Sequence, residues 1–351
     1  MTPAFRILVD GADRSTVIAD RLLSILITDE DGTKSDRVEI EIDNRDRRVA
    51  FPKVEAQIEV SLGFQGKPLS LMGRYAVDGV SGRGPVRALT ITATAADLKG
   101  DIRAPRTRGW TNRSLPDIAA TIAGEAGLIP VIGESLRAVR WPFLAQTAES
   151  NLHFLTRLAA ELDATCKPAG GALVVQRRGE GKTAAGDTLV PPVITPRRLS
   201  DWSWSWRGRT VYRAAEAEWT ETGTGVTHKI KVGSGTPLKK IRHPYATEAE
   251  ATRAAESALS GAGRSGLEVS GTLSGFEPGL LGGGLIDLQG LEPVLDGRWH
   301  LKSVSHRLDI RPGRRNPSMH RWTAKRWRRQ FSGRHGWGSM SRSRPMSCLC
   351  R

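Results

Sequence analysis

QTAESNLHFLTRLAAELDATCKPAGG, residues 146–171, joins a strongly patterned helix to a turn of small residues, and a short strand follows over residues 172–176. Leu152, Leu155, Leu158, Ala159 and Leu162 recur at helical spacing, with Glu149, Arg157 and Glu161 between them, so one stripe is built for burial. Packing alone explains the pattern, and no catalytic group is required. His153 lies beside the stripe and is expected to cap its edge.

Working outward, a second helix is expected just upstream. Ser114 is its cap, with Asp117 three residues on; Pro116 is tolerated in the first turn, and Gly127 stands where a positive φ closes the helix. Ile118, Ile122 and Ala126 mark its buried side. With the strand VRWPF between the helices, residues 99–195 read as a small α+β unit. Residues 5–98 read as all β: FRILVDG, RLLSILITDE, DRVEIEID, AQIEVSLGF, GRYAVDGV and VRALTITATA are short runs separated by Asp, Gly, Pro and Ser clusters. Val38, Ile40 and Ile42 share one face and Glu39, Glu41 and Asp43 the other, as a half-buried strand requires.

Beyond the connector GEGKTAAGDTLVPPVITPRR, β character returns. DWSWSW places Trp202, Trp204 and Trp206 on one face of a strand, a stripe suited to a core or a subunit contact. A helix begins at Thr247, capped with Glu250, and ends near Gly261. LEVSGTLSG, GLIDLQG and RWHLKSVSHRL then complete a second β-rich unit. The expected fold class is α+β, mostly β. Two antiparallel barrel-like units at residues 1–98 and 196–310 flank an α+β insertion at residues 99–195, and a basic, disordered tail follows at residues 311–351.

The net charge of +15 belongs mainly to that tail. Residues 311–351 hold eleven Arg and one Lys with no acid, which leaves 40 basic against 37 acidic side chains in the first 310 residues, or +3. The tail also carries Trp322, Trp327 and Trp337, and Arg beside aromatic groups is what a single-stranded nucleic acid binds. A nucleic-acid-binding arm is therefore one alternative function, discriminated by salt-dependent binding that disappears with the tail. No apolar run reaches the ~18 residues of a membrane span, and the amino terminus lacks a secretory pattern, so folding in a cytoplasm is expected.

Three cysteines, Cys166, Cys348 and Cys350, assemble neither a disulfide framework nor a zinc site. GEGKT at residues 179–183 invites comparison with a phosphate loop, yet Gln176 stands where that loop needs its first Gly, and no helix can follow. Gly282, Gly283 and Gly284 fail in the same way, being followed by strand-like residues. The seven histidines show no metal-binding spacing, although His300 and His306 share a face of one strand. Glu149, Glu161 and Asp163 lie near one helix and supply the carboxylates of a second alternative, a peptidoglycan hydrolase, but no second wall for a sugar cleft is legible. No catalytic, cofactor-binding or metal-ligating residue is singled out, and no small-molecule substrate is expected.

The wording of residues 146–171 resembles the late control protein D family of phages with contractile tails. RTRGWTNRSLPDIAATIAGEAGLIPVI (residues 106–132), HPYATEAEATRAAESALSG (residues 243–261) and LDGRWHLKSVSHRLD (residues 295–309) resemble that family's neighbouring elements in the same order. The resemblance covers roughly residues 5–309. It implies a non-enzymatic baseplate hub, related to the amino-terminal half of type VI secretion spike proteins, that sits between tail tube and central spike. The implied partners are two further copies in a homotrimer, the spike, the tube and other baseplate proteins. The implied location is the virion or prophage tail baseplate, with host cytoplasm during assembly. Trp110, Trp202, Trp204 and Trp206 are the interface candidates by residue type. The family closes with a further Gly- and Tyr-bearing strand where this chain has RPGRRNPSMHRW, and the abrupt change of composition suggests a reading-frame change near Ile310.

Overall fold

Alternation of apolar and polar side chains builds the first part of the chain. The structure, a computed structural model, describes residues 2–32, 36–85, 87–95, 102, 104–169, 171–179, 190–206, 212–221, 223–264, 267–310 and 321–329. The strands are β1 (Pro3–Val9), β2 (Ala12–Asp13), then, after the short helix α1 (Ser15–Ala19), β3 (Leu22–Glu30), β4 (Arg37–Asp43), β5 (Gln57–Phe64), β6 (Ser70–Arg83) and β7 (Ala88–Ala95). Val38, Ile40 and Ile42 are buried as their spacing predicts.

The middle of the chain has its own core. It runs β8 (Pro105–Ser114), α2 (Leu115–Ala126), β9 (Ile129–Ile132), β10 (Arg140–Ser150), α3 (Asn151–Glu161), β11 (Ala164–Ala169) and β12 (Ala172–Arg177). Ser114 Oγ accepts the Asp117 backbone N–H while the Asp117 carboxylate accepts that of Ser114, and Gly127 closes α2 at φ +68°. In α3, Leu155, Leu158 and Ala159 are buried as expected; Phe154 joins them and Leu152 is only half-buried. The expected turn after α3 is instead a hairpin: residues 164–169 form β11, antiparallel to β12, with Pro168 opposite Leu173. A run containing Lys and Pro carries little strand propensity of its own, so β12 supplies the pairing that defines it.

The rest comprises β13 (Val193–Ile194), β14 (Leu199–Trp206), β15 (Ala214–Thr220), β16 (Thr227–Gly233), β17 (Leu238–Lys240), α4 (Glu248–Arg264), β18 (Leu267–Ser274), β19 (Leu285–Leu288), β20 (Gly297–Asp309) and β21 (Arg321–Arg329). Thr247 Oγ1 accepts the Glu250 N–H at the start of α4, and Glu250 Oε2 accepts the Ala246 N–H. β15, β16 and β17 form a separate three-stranded sheet under α4, packed through Ala215, Ala217, Ala251 and Ala255.

The architecture is mainly β with few helices. Its central feature is a 13-stranded sheet in the order β14-β18-β21-β20-β3-β4-β7-β6-β5-β1-β2, with β13 and β19 joined at β20. β3 and β20 are antiparallel, Glu30 opposite Ser303 through Ser24 opposite Asp309, so both β-rich stretches enter one sheet and one core that runs from Ile7 to Leu308. Gly282 makes the junction close: a Cβ there would stand 2.5 Å from the Glu30 carbonyl carbon. Among the described residues no strand pairing closes the sheet on itself. The expected outline of two separate barrels thus differs from the observed pairing, because the sequence shows strands but not which strands will meet.

One expectation for the basic tail is corrected. Residues 321–329 form β21, with Leu301 opposite Trp327 on β20 and Leu273 opposite Trp322 on β18. Ladders on both sides satisfy its backbone, which overrides an Arg-rich sequence with little strand character. Residues 311–320 and 330–351, with Cys348 and Cys350, lie outside the described residues.

Candidate interaction surface

β14 is the first strand of the large sheet and, among the described residues, pairs on one side only, with β18. Its alternating LSDWSWSW sends Trp202, Trp204 and Trp206 to one face, opposite Gly271, Val269 and Leu267. Val269 is buried in the main core and Leu267 packs against it, so the Trp face continues the core side of the sheet. That continuation is uncovered. Trp202, Trp204 and Trp206 remain 40%, 45% and 66% exposed, which corrects the expectation of a core stripe and leaves the contact reading.

Trp110, an interface candidate by residue type, is buried in the core of the middle stretch instead. Its ring stacks on Phe154 at 5.9 Å, Arg108 lies over it at 4.2 Å, and its indole N–H donates to Gln146 Oε1. Arg108 also donates to Gln146, Glu125 and Asn151, and Asn151 Nδ2 donates to Glu125, a network closed within the unit. The amphipathic wording of β8 hides this, since polar neighbours that serve one indole resemble a surface.

Of the three carboxylates of the hydrolase alternative, Glu149 and Glu161 meet one guanidinium, that of Arg157, at 2.9 and 3.6 Å, while Asp163 takes a different partner. Glu149 is held by Arg157 and by His153 Nδ1 at 2.9 Å, while Asp163 accepts from Ser260 Oγ. His153, with its side chain 73% exposed, does not cover the edge of the apolar stripe; its Nδ1 lies 2.9 Å from Glu149 Oε1, and that polar partner holds the ring away from the stripe. Glu161 also faces Glu250 in a cleft between α3 and α4, with Trp141, Leu144, Leu162, Tyr245, Arg253 and Ala254. Burial pushes both carboxyls above the ordinary range; Arg157 partly offsets this at Glu161, and the Ala246 N–H does so at Glu250.

Two further buried groups are informative. Cys166 is enclosed, and burial pushes its thiol up to about 12, far from a reactive thiolate. His300 and His306 are buried on β20; burial pushes His306 down to about 4, and its Nε2–H donates to the Leu280 carbonyl. Among the described residues no group of three His, Cys, Asp or Glu side chains is arranged for a metal ion, and no helix is long and apolar enough to cross a membrane. Of GEGKT, only Gly179 lies within the described residues.

With this geometry in hand, residues 74–310 match the family model described as phage tail baseplate hub (GPD). The chain belongs to the phage tail baseplate hub family. Its likeness to the probable baseplate hub protein of Escherichia phage 186 is 30% identity over 251 residues, 70% of this chain and 64% of that protein. The match therefore spans less than two thirds of that relative. The fold also resembles the 43 kDa tail protein of prophage MuSo2 from Shewanella oneidensis, with a TM-score of 0.69 at 14% identity over 93% of this chain and 98% of that one. A component of the E. coli type VI secretion system, c3393, has the same general fold, with a TM-score of 0.53 at 11% identity over 96% of this chain and 79% of that one. At these identities the likeness to the two solved structures is one of fold alone. Neither alternative function has support in these relatives.

Proposed function

We propose that this hub-family chain is a non-enzymatic ring subunit that joins the tail tube to the central spike of a contractile tail. The observation that carries the reading is the β3–β20 ladder, which welds the two β-rich stretches into one sheet whose β14 edge, among the described residues, is paired on one side only. In this reading residues 1–98 and 196–310 act as two barrel-like wall segments, with residues 99–195 inserted between them. Three copies then present six wall segments, which mates a threefold spike to a sixfold tube. The partners are two further copies, the spike, the tube and other baseplate proteins. Assembly takes place in the host cytoplasm and the product resides in the tail baseplate.

The experiment is electron microscopy of tail particles in which this chain carries a label. Density at the tube–spike junction in three copies is expected, and tails made without the chain should lack an attached spike. Label found elsewhere in the particle, or spiked tails without the chain, contradicts the reading.

A further inference from the structure

The middle stretch has a core of its own, from Ile102 to Val175, which shares no residue with the core of the large sheet. Hydrogen bonds and ion pairs join it to the rest of the chain at two places. At one, Lys167 on β11 meets Asp29 and Asp36, beside the 4.0 Å pair of Arg178 and Asp31. At the other, the end of α3 lies against α4: Ser257 Oγ donates to the Ala160 carbonyl at 3.1 Å, and Ser260 Oγ to the Asp163 carboxylate at 3.0 Å. Two bodies joined by polar contacts rather than by a shared apolar core can move when one of those contacts changes.

The second place carries a conflict of charge. Glu161, the last residue of α3, and Glu250, in the first turn of α4, line one cleft. The dipole of α4 favours an anion at Glu250 and that of α3 opposes one at Glu161, so a proton held by the pair rests on Glu161. Facing Glu161 are Arg157 on its own helix, His243 and Tyr245 from the segment before α4, and Glu250; Arg253 faces Glu250. Arg157 is nearer to Glu149, at 2.9 Å, than to Glu161, at 3.6 Å, and His153 also meets Glu149. With both histidines neutral, three carboxyls thus face two guanidiniums. Tyr245, pushed up to about 12 by burial, adds no countercharge, and Glu250 Oε1 is enclosed without a hydrogen-bond partner among the described residues. Burial pushes Glu161 above its ordinary 4.5 against the pull of Arg157, and Glu250 adds to the rise. Closure therefore favours the protonated acid: its contribution is full below 4.5 and is lost as pH rises through the raised value.

We infer that the α3–α4 junction is a proton-operated latch: protonated Glu161 lets the two helices close on each other, and its ionisation beside Glu250 parts them, leaving the middle stretch held to the large sheet through Lys167. The latch is internal to one chain and does not depend on the ring reading above.

Trp141 and Leu162, 3% and 4% exposed, line the closed cleft, so their access to solvent reads its opening. The test is hydroxyl-radical footprinting of the full chain at pH 5 and pH 8, with Trp110 and Phe154, deep in the middle core, as controls for unfolding. In the wild type, oxidation of Trp141 and Leu162 is expected to rise severalfold from pH 5 to pH 8 while the controls stay protected. Glu161→Gln, which keeps the shape of the neutral acid, should hold both at the pH 5 level throughout, and Glu250→Gln should flatten the rise as well. Asp36→Asn, which alters the Lys167 junction alone, should keep the wild-type rise. Circular dichroism checks that each variant folds. A wild type equally protected at both pH values overturns the inference, as does a Glu161→Gln chain that opens like wild type. A rise shared by Trp110 and Phe154, or one abolished by Asp36→Asn, also overturns it, because the first is unfolding and the second belongs to the other junction.

Discussion

Asp29 and Asp36 share one ammonium group. Lys167 on β11 donates to both carboxylates and to the Glu30 carbonyl, which ties β11 to the end of β3 and the start of β4. Two acids against one base leave a surplus negative charge in a half-closed place. Burial, with Asp29 adding to it, pushes Asp36 from 3.8 up to about 6. A folded value above the unfolded one means that folding favours the protonated form. The Asp36 contribution to stability is thus full below about 3.8 and is lost as pH rises through about 6. His306 slopes the other way: its contribution is present above 6.5 and is lost as pH falls through about 4. Asp36→Asn removes the first slope and leaves the second. Its melting temperature relative to wild type is expected to be several degrees more favourable at pH 7.5 than at pH 4.5. Equal differences at the two pH values, by calorimetry, would show that the cluster is not charged in this way.

At the scale of elements, helices whose ends carry local chemistry were legible and strands that depend on remote partners were not. The cap of α2 is fixed by residues three apart, Ser114 and Asp117, with a left-handed Gly127 beyond, and all of it can be read along the chain. Ser114→Ala should cost about 1 kcal/mol in urea unfolding. Asp117→Ala should add little on top of it, because the two hydrogen bonds form one reciprocal unit. Strictly additive losses would mean that the residues act apart. β11 and β21 show the opposite case: Lys, Pro and Arg give neither of them a strand signature, and pairing with β12, or with β18 and β20, makes them strands. The tryptophans of β14 divide in the same way. Alternation put three indoles on one face, but only the position of β14 at the sheet edge reveals that the face is bare, whereas Trp110 is claimed by Phe154, Arg108 and Gln146.

For the whole molecule the decisive question is how far the folded body extends. By composition it stops near Ile310, where acidic residues cease. By pairing it does not, because β21 fills the slot between β18 and β20, and without it β14 and β18 are parted from the rest of the large sheet. A chain ending at Ile310 should therefore expose the β20 edge that β21 covers, together with the detached β14–β18 pair. Two such open edges invite edge-to-edge association of unfolded or half-folded chains. A chain ending at Arg329 keeps both ladders and should unfold cooperatively at nearly the full-length temperature. The comparison is a pair of thermal melts by circular dichroism with light scattering alongside. The shorter chain is expected to melt over a broad range at lower temperature and to aggregate. If instead it melts as sharply and as high as the chain ending at Arg329, β21 contributes nothing to the sheet and the body does end where the acids do.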